Sequence, residues 1–241
     1  DAYVAGSNRS LHNELRDLRS DIASNEALLA TLGEEREQRV QDMLALRNRL
    51  SGEGFDPEKA AVRLQGIQTQ IDQIDAQISS TQGEIATMQG RVADITERLE
   101  LVKPAPGADL QLIASLEHST TNEWIQRNTQ DCVQHITHKL AIPPGLPNDA
   151  HLWDDNALRH PEYGIQIGER PLPGSVIVLE REHSYADDRY GHLFYVESVE
   201  GDQVWVTDNK FPDQPVLLSE LTEELSGPNV KVLYFPWHTR A

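Results

Sequence analysis

Gly191-His192-Leu193-Phe194-Tyr195-Val196-Glu197-Ser198-Val199-Glu200-Gly201-Asp202-Gln203-Val204-Trp205-Val206-Thr207-Asp208-Asn209 is the stretch on which the fold turns. Two runs rich in β-branched and aromatic residues flank Glu200-Gly201-Asp202, which predicts two antiparallel strands joined by a tight turn. An antiparallel pair brings its two open ends together, so His192 at the start lies near Asp208 or Asn209 at the finish. An imidazole with an orienting neighbour is half of a nucleophilic site. A further strand is expected at Ser175-Val176-Ile177-Val178-Leu179.

The other half is a nucleophile, and the chain has one cysteine. Cys132 stands in Gln130-Asp131-Cys132-Val133-Gln134, and a helix of about ten residues is expected to begin there and to be bounded by Pro143 and Pro144. Taken alone, a lone cysteine is more often a small buried hydrophobe than a nucleophile. A helix N-terminus and a nearby imidazolium are the two usual causes of a reactive thiolate, and this cysteine has candidates for both.

Outward from these motifs, composition limits the class. The 241 residues hold 21 Lys and Arg against 39 Asp and Glu, a net charge of −18, which disfavours nucleic acid or an anionic membrane as a direct partner. One cysteine makes no internal disulfide, and no apolar run is long enough to span a bilayer. The chain starts at Asp1 without Met, which leaves room for a cleaved signal peptide. Hydrophobic content of 38% suggests an elongated, solvent-rich part.

That part is the first hundred residues. Leu11, Leu15, Leu18, Ile22, Asn25, Leu29, Leu32, Arg36, Arg39, Met43, Leu46 and Leu50 step by threes and fours, a heptad seam. Ser51 to Pro57 breaks it, with Asp56 as N-cap and Pro57 at the first helical position. A second seam runs through Leu64, Ile67, Ile71, Ile74, Ile78, Thr81, Ile85, Met88, Val92, Ile95, Leu99 and Val102. Two helices of about forty residues with a short connection fold back as an antiparallel coiled-coil hairpin roughly 60 Å long. The polar seam positions Asn25, Arg36 and Arg39 fix register or face a third helix. Gly66, Gly83 and Gly90 each cost about 1 kcal/mol relative to Ala, which suggests close backbone approach or bending. The expected division is a helical arm over 1–103, a linker over 104–109 with the sequence Pro-Ala-Pro-Gly-Ala-Asp, and a compact α+β domain over 110–241, opening with a helix around Leu110 to Leu116.

The α+β part resembles a known family. Asp131-Cys132-Val133, Trp153 with Ala157 in a following helix, Tyr163-Gly164 leading to Pro171-Leu172-Pro173-Gly174-Ser175-Val176-Ile177-Val178, and Gly191-His192-Leu193-Phe194-Tyr195-Val196-Glu197-Ser198-Val199 occur in the order and spacing of the CHAP family, the cysteine, histidine-dependent amidohydrolases and peptidases. The resemblance implies a papain-like fold related to the NlpC-type cell-wall peptidases. It makes Cys132 the nucleophile, His192 the general base and Asn209 the orienting group, with Asp208 as alternative third member. The family often places an acid two positions before that Asn, and here the position is Thr207. A Gly-Asp pair in the proline-glycine turn is here Gly174-Ser175. An oxyanion donor is also needed; Gln126 and Gln130 are the side-chain candidates, and the Cys132 N–H is a backbone one.

Other residues have plainer readings. His135 and His138 share a helix face, but no Cys or carboxylate completes a metal spacing, so no metal is expected, nor any cofactor. Asp154-Asp155 and Asp187-Asp188 read as solvated loop charge, and Glu197 as structural. Trp153 and Tyr190 are the expected walls of a substrate groove. The resulting expectation is a secreted, cell-wall-associated peptidoglycan hydrolase, an amidase or endopeptidase acting on the stem peptide. The arm would serve self-association or dock a regulator in a membrane complex, as in coiled-coil cell-division hydrolases of similar layout. Two other readings fit the same residues: a degenerate peptide-binding scaffold, and a cysteine amidase acting on a non-wall amide. The net charge of −12 over 104–241 favours the scaffold, because an anionic wall would repel it.

Overall fold

The computed structural model describes residues 9–50, 56–117, 131–143 and 145–239. Helices α1 (Arg9–Leu50) and α2 (Pro57–Leu101) are long and packed together; α3 (Leu110–Glu117), α4 (Cys132–Lys139), α5 (Trp153–Arg159) and α6 (Leu218–Leu221) are short. Six strands complete the chain: β1 (Gln166–Gly168), β2 (Val176–Leu179), β3 (His192–Glu200), β4 (Gln203–Thr207), β5 (Val216–Leu217) and β6 (Val230–Tyr234). The class is helical hairpin plus antiparallel sheet, α+β. Two compact units are distinguished, His12–Thr96, and Glu97–Ala241 with the first residues of α1. No helix among the described residues is long and apolar enough to cross a membrane.

In the first unit, the chain direction follows from the polar ties between its helices. Arg91 Nε donates to Glu14 at 2.9 Å, Asn25 Nδ2 to Glu84 at 3.4 Å, and Arg36 Nε and Nη2 to the two carboxylate oxygens of Asp75. Rising numbers on α1 meet falling numbers on α2, so the pair is antiparallel. Asn25 and Arg36 thus fix register, since a one-turn slip would strand both. Arg39 does neither: it is exposed and pairs with Asp42 of its own helix, while Val40 is half-buried beside it. In α2 every seam position from Leu64 to Leu99 is buried or half-buried. Asp56 caps α2 through Oδ1, which accepts from the Glu58 and Lys59 N–H groups. The expected close approach at Gly66, Gly83 and Gly90 is absent, because a Cβ at each would meet no atom within 4 Å.

In the second unit the sheet order is β1-β6-β2-β3-β4-β5, antiparallel at every pairing. The hairpin forms at Glu200↔Gln203, with Gly201 at φ +61° as the first central residue and no positive φ at Asp202, the II′ combination. Strands β1, β5 and β6 were not foreseen. β1 and β5, at three residues and two, are too short to show a period, whereas β6 carries the strand signature Val-Lys-Val-Leu-Tyr. One sheet face carries Val176, Val178, Leu193, Leu233 and Phe235 against Val133 and Ile136 of α4, Ile113 of α3 and Trp153 of α5. The other carries Ile177, Leu179, Phe194, Val206 and Val232, joined by Val102 after α2. Trp153 is therefore a core residue, not a groove wall: it is fully buried and its indole donates to the Pro147 carbonyl at 2.8 Å.

The segment around 104–109 is fastened by backbone bonds, Ala105 N to Gly164 O and Asp109 N to Glu162 O, and Gln166 Nε2 donates to the carbonyls of Glu100 and Lys103. Helix α4 ends at Lys139, earlier than Pro143 requires. From Leu140 the chain is extended, which lets Leu140 and Ile142 both reach the core while the Trp237 indole takes the Ala141 carbonyl at 3.0 Å.

Candidate active site

Cys132 is the first residue of α4, and the Asp131 carboxylate caps that helix by accepting from Gln134 N–H at 2.8 Å. A β-region N-cap followed by Cys-Val-Gln-His is what aims the first helical N–H groups toward the cysteine side chain. The thiol is partly buried against the core that α4 shares with β3. Burial pushes it up to about 11, and the Asp131 charge adds to this; backbone hydrogen bonds from Leu193, Val133 and Cys132 itself pull the other way. Cys132 packs on the core cluster that contains Leu193, the neighbour of His192 in β3.

His192 is 7% exposed and pairs with Leu179 at the edge of the β2–β3 ladder. The residue before it must be glycine. Gly191 has φ +72°, and a Cβ there would stand 2.6 Å from the Leu179 carbonyl oxygen and 2.8 Å from the His151 Cβ. Of the two candidate orienting groups, Asp208 meets the imidazole: His192 Nε2 lies 2.8 Å from Asp208 Oδ2, and Asp208 is fully buried. Burial works to raise the Asp208 carboxyl, but hydrogen bonds from His192 and from the Lys210 and Phe211 N–H groups outweigh it and hold the group below its ordinary range. An ionised Asp208 accepts from Nε2–H, which leaves His192 Nδ1 as the proton acceptor.

Thr207, Asp208 and Asn209 face alternate sides, so Asp208 turns to His192 while its neighbours turn to α4. Asp208 Oδ1 accepts from Lys210 N–H at 2.7 Å and Phe211 N–H at 3.2 Å, a side-chain turn that frees its other oxygen for the histidine. Asn209, the orienting group the resemblance implies, instead lines a cavity of about 410 Å³ with Asp131, Gln134, His135, His138 and Pro212. Tyr190 is exposed, with the Arg189 guanidinium 5.0 Å from its ring centre. Gln126 and Gln130 lie outside the described residues.

Sequence reasoning missed a second buried network behind the site. The β3–β4 register skips Glu197, a bulge that turns its carboxylate toward Thr207. Thr207 Oγ1 donates to Glu197 at 2.8 Å and Lys139 Nζ donates to the same oxygen at 2.7 Å. Thr207 has spent its proton on Glu197, so His135 Nε2–H donates to Thr207 at 3.0 Å. Burial, reinforced by the Lys139 charge, lowers His135 to about 4. His135 is a neutral strut between α4 and β4, and no three potential metal ligands cluster among the described residues. The only advance signal was the i, i+4 spacing of His135 and Lys139.

No protein-family model and no curated protein matches the chain. Among solved structures, it is similar to an N-acetylmuramoyl-L-alanine amidase from Staphylococcus aureus, with 19% identity and a TM-score of 0.34. That similarity covers 44% of this chain and 30% of the amidase chain.

Proposed function

We propose that the unit containing Cys132 is a papain-like cysteine hydrolase of the CHAP type that cuts an amide bond of peptidoglycan. The observation that carries this reading is the 2.8 Å bond from His192 Nε2 to buried Asp208, at the start of a strand whose next residue, Leu193, belongs to the core cluster against which Cys132 packs. The substrate class rests on the four motifs shared with the CHAP family.

In this reading the thiol is neutral before reaction, because burial holds it near 11. His192 Nδ1 takes the Sγ proton as sulfur attacks the carbonyl carbon, so the charge pair forms along the reaction path rather than beforehand. Asp208 steadies the imidazolium through Nε2–H. The tetrahedral intermediate collapses as the C–N bond breaks, and His192 returns the proton to the leaving amine. Water, deprotonated by the same imidazole, then attacks the thioester and releases the acid with Cys132 again protonated. The N–H of Cys132, at a helix N-terminus, is the oxyanion donor. The helical arm is the regulatory or partner-docking element, and the protein acts outside the cell.

A second reading, peptide binding without cleavage, draws on the same raised thiol. Both meet one experiment: mass spectrometry of muropeptides released from purified peptidoglycan by the full chain, by residues 97–241 and by the full chain with Cys132→Ala. Release that vanishes in Cys132→Ala supports the hydrolase and identifies the bond. Binding with no release from either active-site-intact protein supports the second reading.

A further inference from the structure

His183 is buried and takes no part in the steps above, yet both of its ring nitrogens are engaged. Its Nε2 lies 2.9 Å from the Glu224 carbonyl, which can only accept, so Nε2 carries the proton and Nδ1 accepts from the Tyr185 N–H at 3.1 Å. The Glu224 carboxylate stands off at 3.8 Å. One tautomer satisfies both bonds and holds the backbone of Tyr185 in the loop between β2 and β3.

The side chain that this strut holds is in contact with His192. The Tyr185 ring centre is 5.3 Å from the imidazole centre at 68°, and Phe194 meets the imidazole at 4.8 Å and 73°. Tyr185 and Phe194 touch each other at 5.1 Å, so the three rings close a triangle. Lys210 Nζ sits 4.2 Å from the Tyr185 ring centre, and Lys210 also gives its backbone N–H to Asp208. The loop that orients Asp208 thereby also clamps Tyr185.

We propose that Tyr185 is a positioning residue for His192: its ring, braced by His183 and clamped by Lys210, fixes the imidazole plane and keeps water from the His192–Asp208 hydrogen bond. The physical case has two parts. An imidazole bonded at one nitrogen can still swing about that bond, and the edge-on rings of Tyr185 and Phe194 remove that freedom. A charge-assisted hydrogen bond is worth more where water is excluded, and the half-buried Tyr185 ring packs edge-on against the imidazole that makes it. Burial, and after it the Asp208 charge, push the Tyr185 phenol up, while Lys210 pulls it down, which agrees with a hydroxyl close to both. The ring, rather than the hydroxyl, does the positioning. The proposal rests on His192 being the general base of the proposed function.

The test uses the full chain with Tyr185→Phe, Tyr185→Leu and Tyr185→Ala, read by the ¹⁵N-edited proton spectrum of the His192 ring and by steady-state hydrolysis of peptidoglycan. In the wild type the His192 Nε2–H signal should be sharp and slow to exchange. Tyr185→Phe should keep it, while Tyr185→Leu and Tyr185→Ala should speed its exchange about tenfold or more, with unchanged circular dichroism. In parallel, kcat should fall roughly tenfold to hundredfold in the Leu and Ala variants with KM within about threefold, and the Phe variant should restore it. A slowly exchanging Nε2–H in Tyr185→Ala overturns the proposal whether or not the protein hydrolyses peptidoglycan. A wild type with the slow Nε2–H signal but no Cys132-dependent product overturns the hydrolase reading instead. Where Tyr185→Ala does not fold, Tyr185→Leu, which keeps apolar bulk without an aromatic ring, gives the same decision.

Discussion

Asp208 and Asn209 are neighbours with different surroundings, and their replacement separates orientation from lining. Asp208→Ala removes the acceptor of the 2.8 Å bond and should lower kcat for hydrolysis by about hundredfold or more; Asn209→Ala should cost less than about tenfold. Equal losses in the two variants would contradict the assignment. The buried thiol makes its own prediction. With its pKa raised from 9.0 to about 11, Cys132 should alkylate with iodoacetamide at pH 7 about tenfold more slowly than an ordinary thiol. The hundredfold smaller thiolate fraction is partly offset by greater nucleophilicity. The rate should still be climbing at pH 10; a plateau below pH 8 would indicate a preformed thiolate–imidazolium pair. His135 acts on stability. Its pKa falls from 6.5 to about 4 on folding, so between those values the unfolded chain binds a proton that the native state refuses. That contribution is fully present above pH 6.5 and is lost as pH drops toward 4, an upper figure of about 3 kcal/mol. The urea midpoint should therefore fall less between pH 7 and pH 4 in His135→Gln than in the wild type.

At the scale of elements, the arm carries glycines that nothing in the structure requires. Gly83 and Gly90 lie inside α2 with ordinary helical φ and open space where a Cβ would stand, so Gly83→Ala and Gly90→Ala should each stabilise the helical hairpin by about 1 kcal/mol. Thermal melting followed by circular dichroism checks this; a lowered midpoint would mean that these glycines bend the helix. The arm was the most legible part of the sequence, because a three-four spacing sustained over twelve positions leaves one face to bury, and each position of the second seam, from Leu64 in α2 to Val102 just after it, is buried or half-buried. The β3–β4 hairpin was legible for a different reason: Gly201-Asp202 specifies its own turn. What the sequence hid depends on long-range partners. Trp153 read as a groove wall because an indole suits both a cleft and a core, and only the Pro147 carbonyl beneath it decides. The Asp208 turn, the Glu197 bulge and the Tyr185–His192 contact likewise exist only once separated strands and loops have met. Arg39 shows the converse, a correct period whose assigned position falls one residue short of the half-buried Val40.

For the whole molecule, the account joins a helical hairpin held in register by Arg36–Asp75 and Asn25–Glu84 to a sheet unit whose cysteine, histidine and aspartate come from α4, the start of β3 and the turn after β4. The start of β3 and the turn after β4 bring His192 and Asp208 together, Cys132 packs on the cluster of Leu193 in the same strand, and a two-sided core holds these elements in place. The reading is that this convergence performs covalent catalysis, so the most direct measurement is a search for the covalent intermediate. The full chain is mixed with soluble muropeptides, quenched in acid within the first turnovers, weighed intact and mapped by proteolysis. The account predicts an added acyl mass on Cys132 that disappears over time as product accumulates and never forms in Cys132→Ala. Product released by Cys132→Ala at the wild-type rate, with no mass on the cysteine of the wild type, would contradict it.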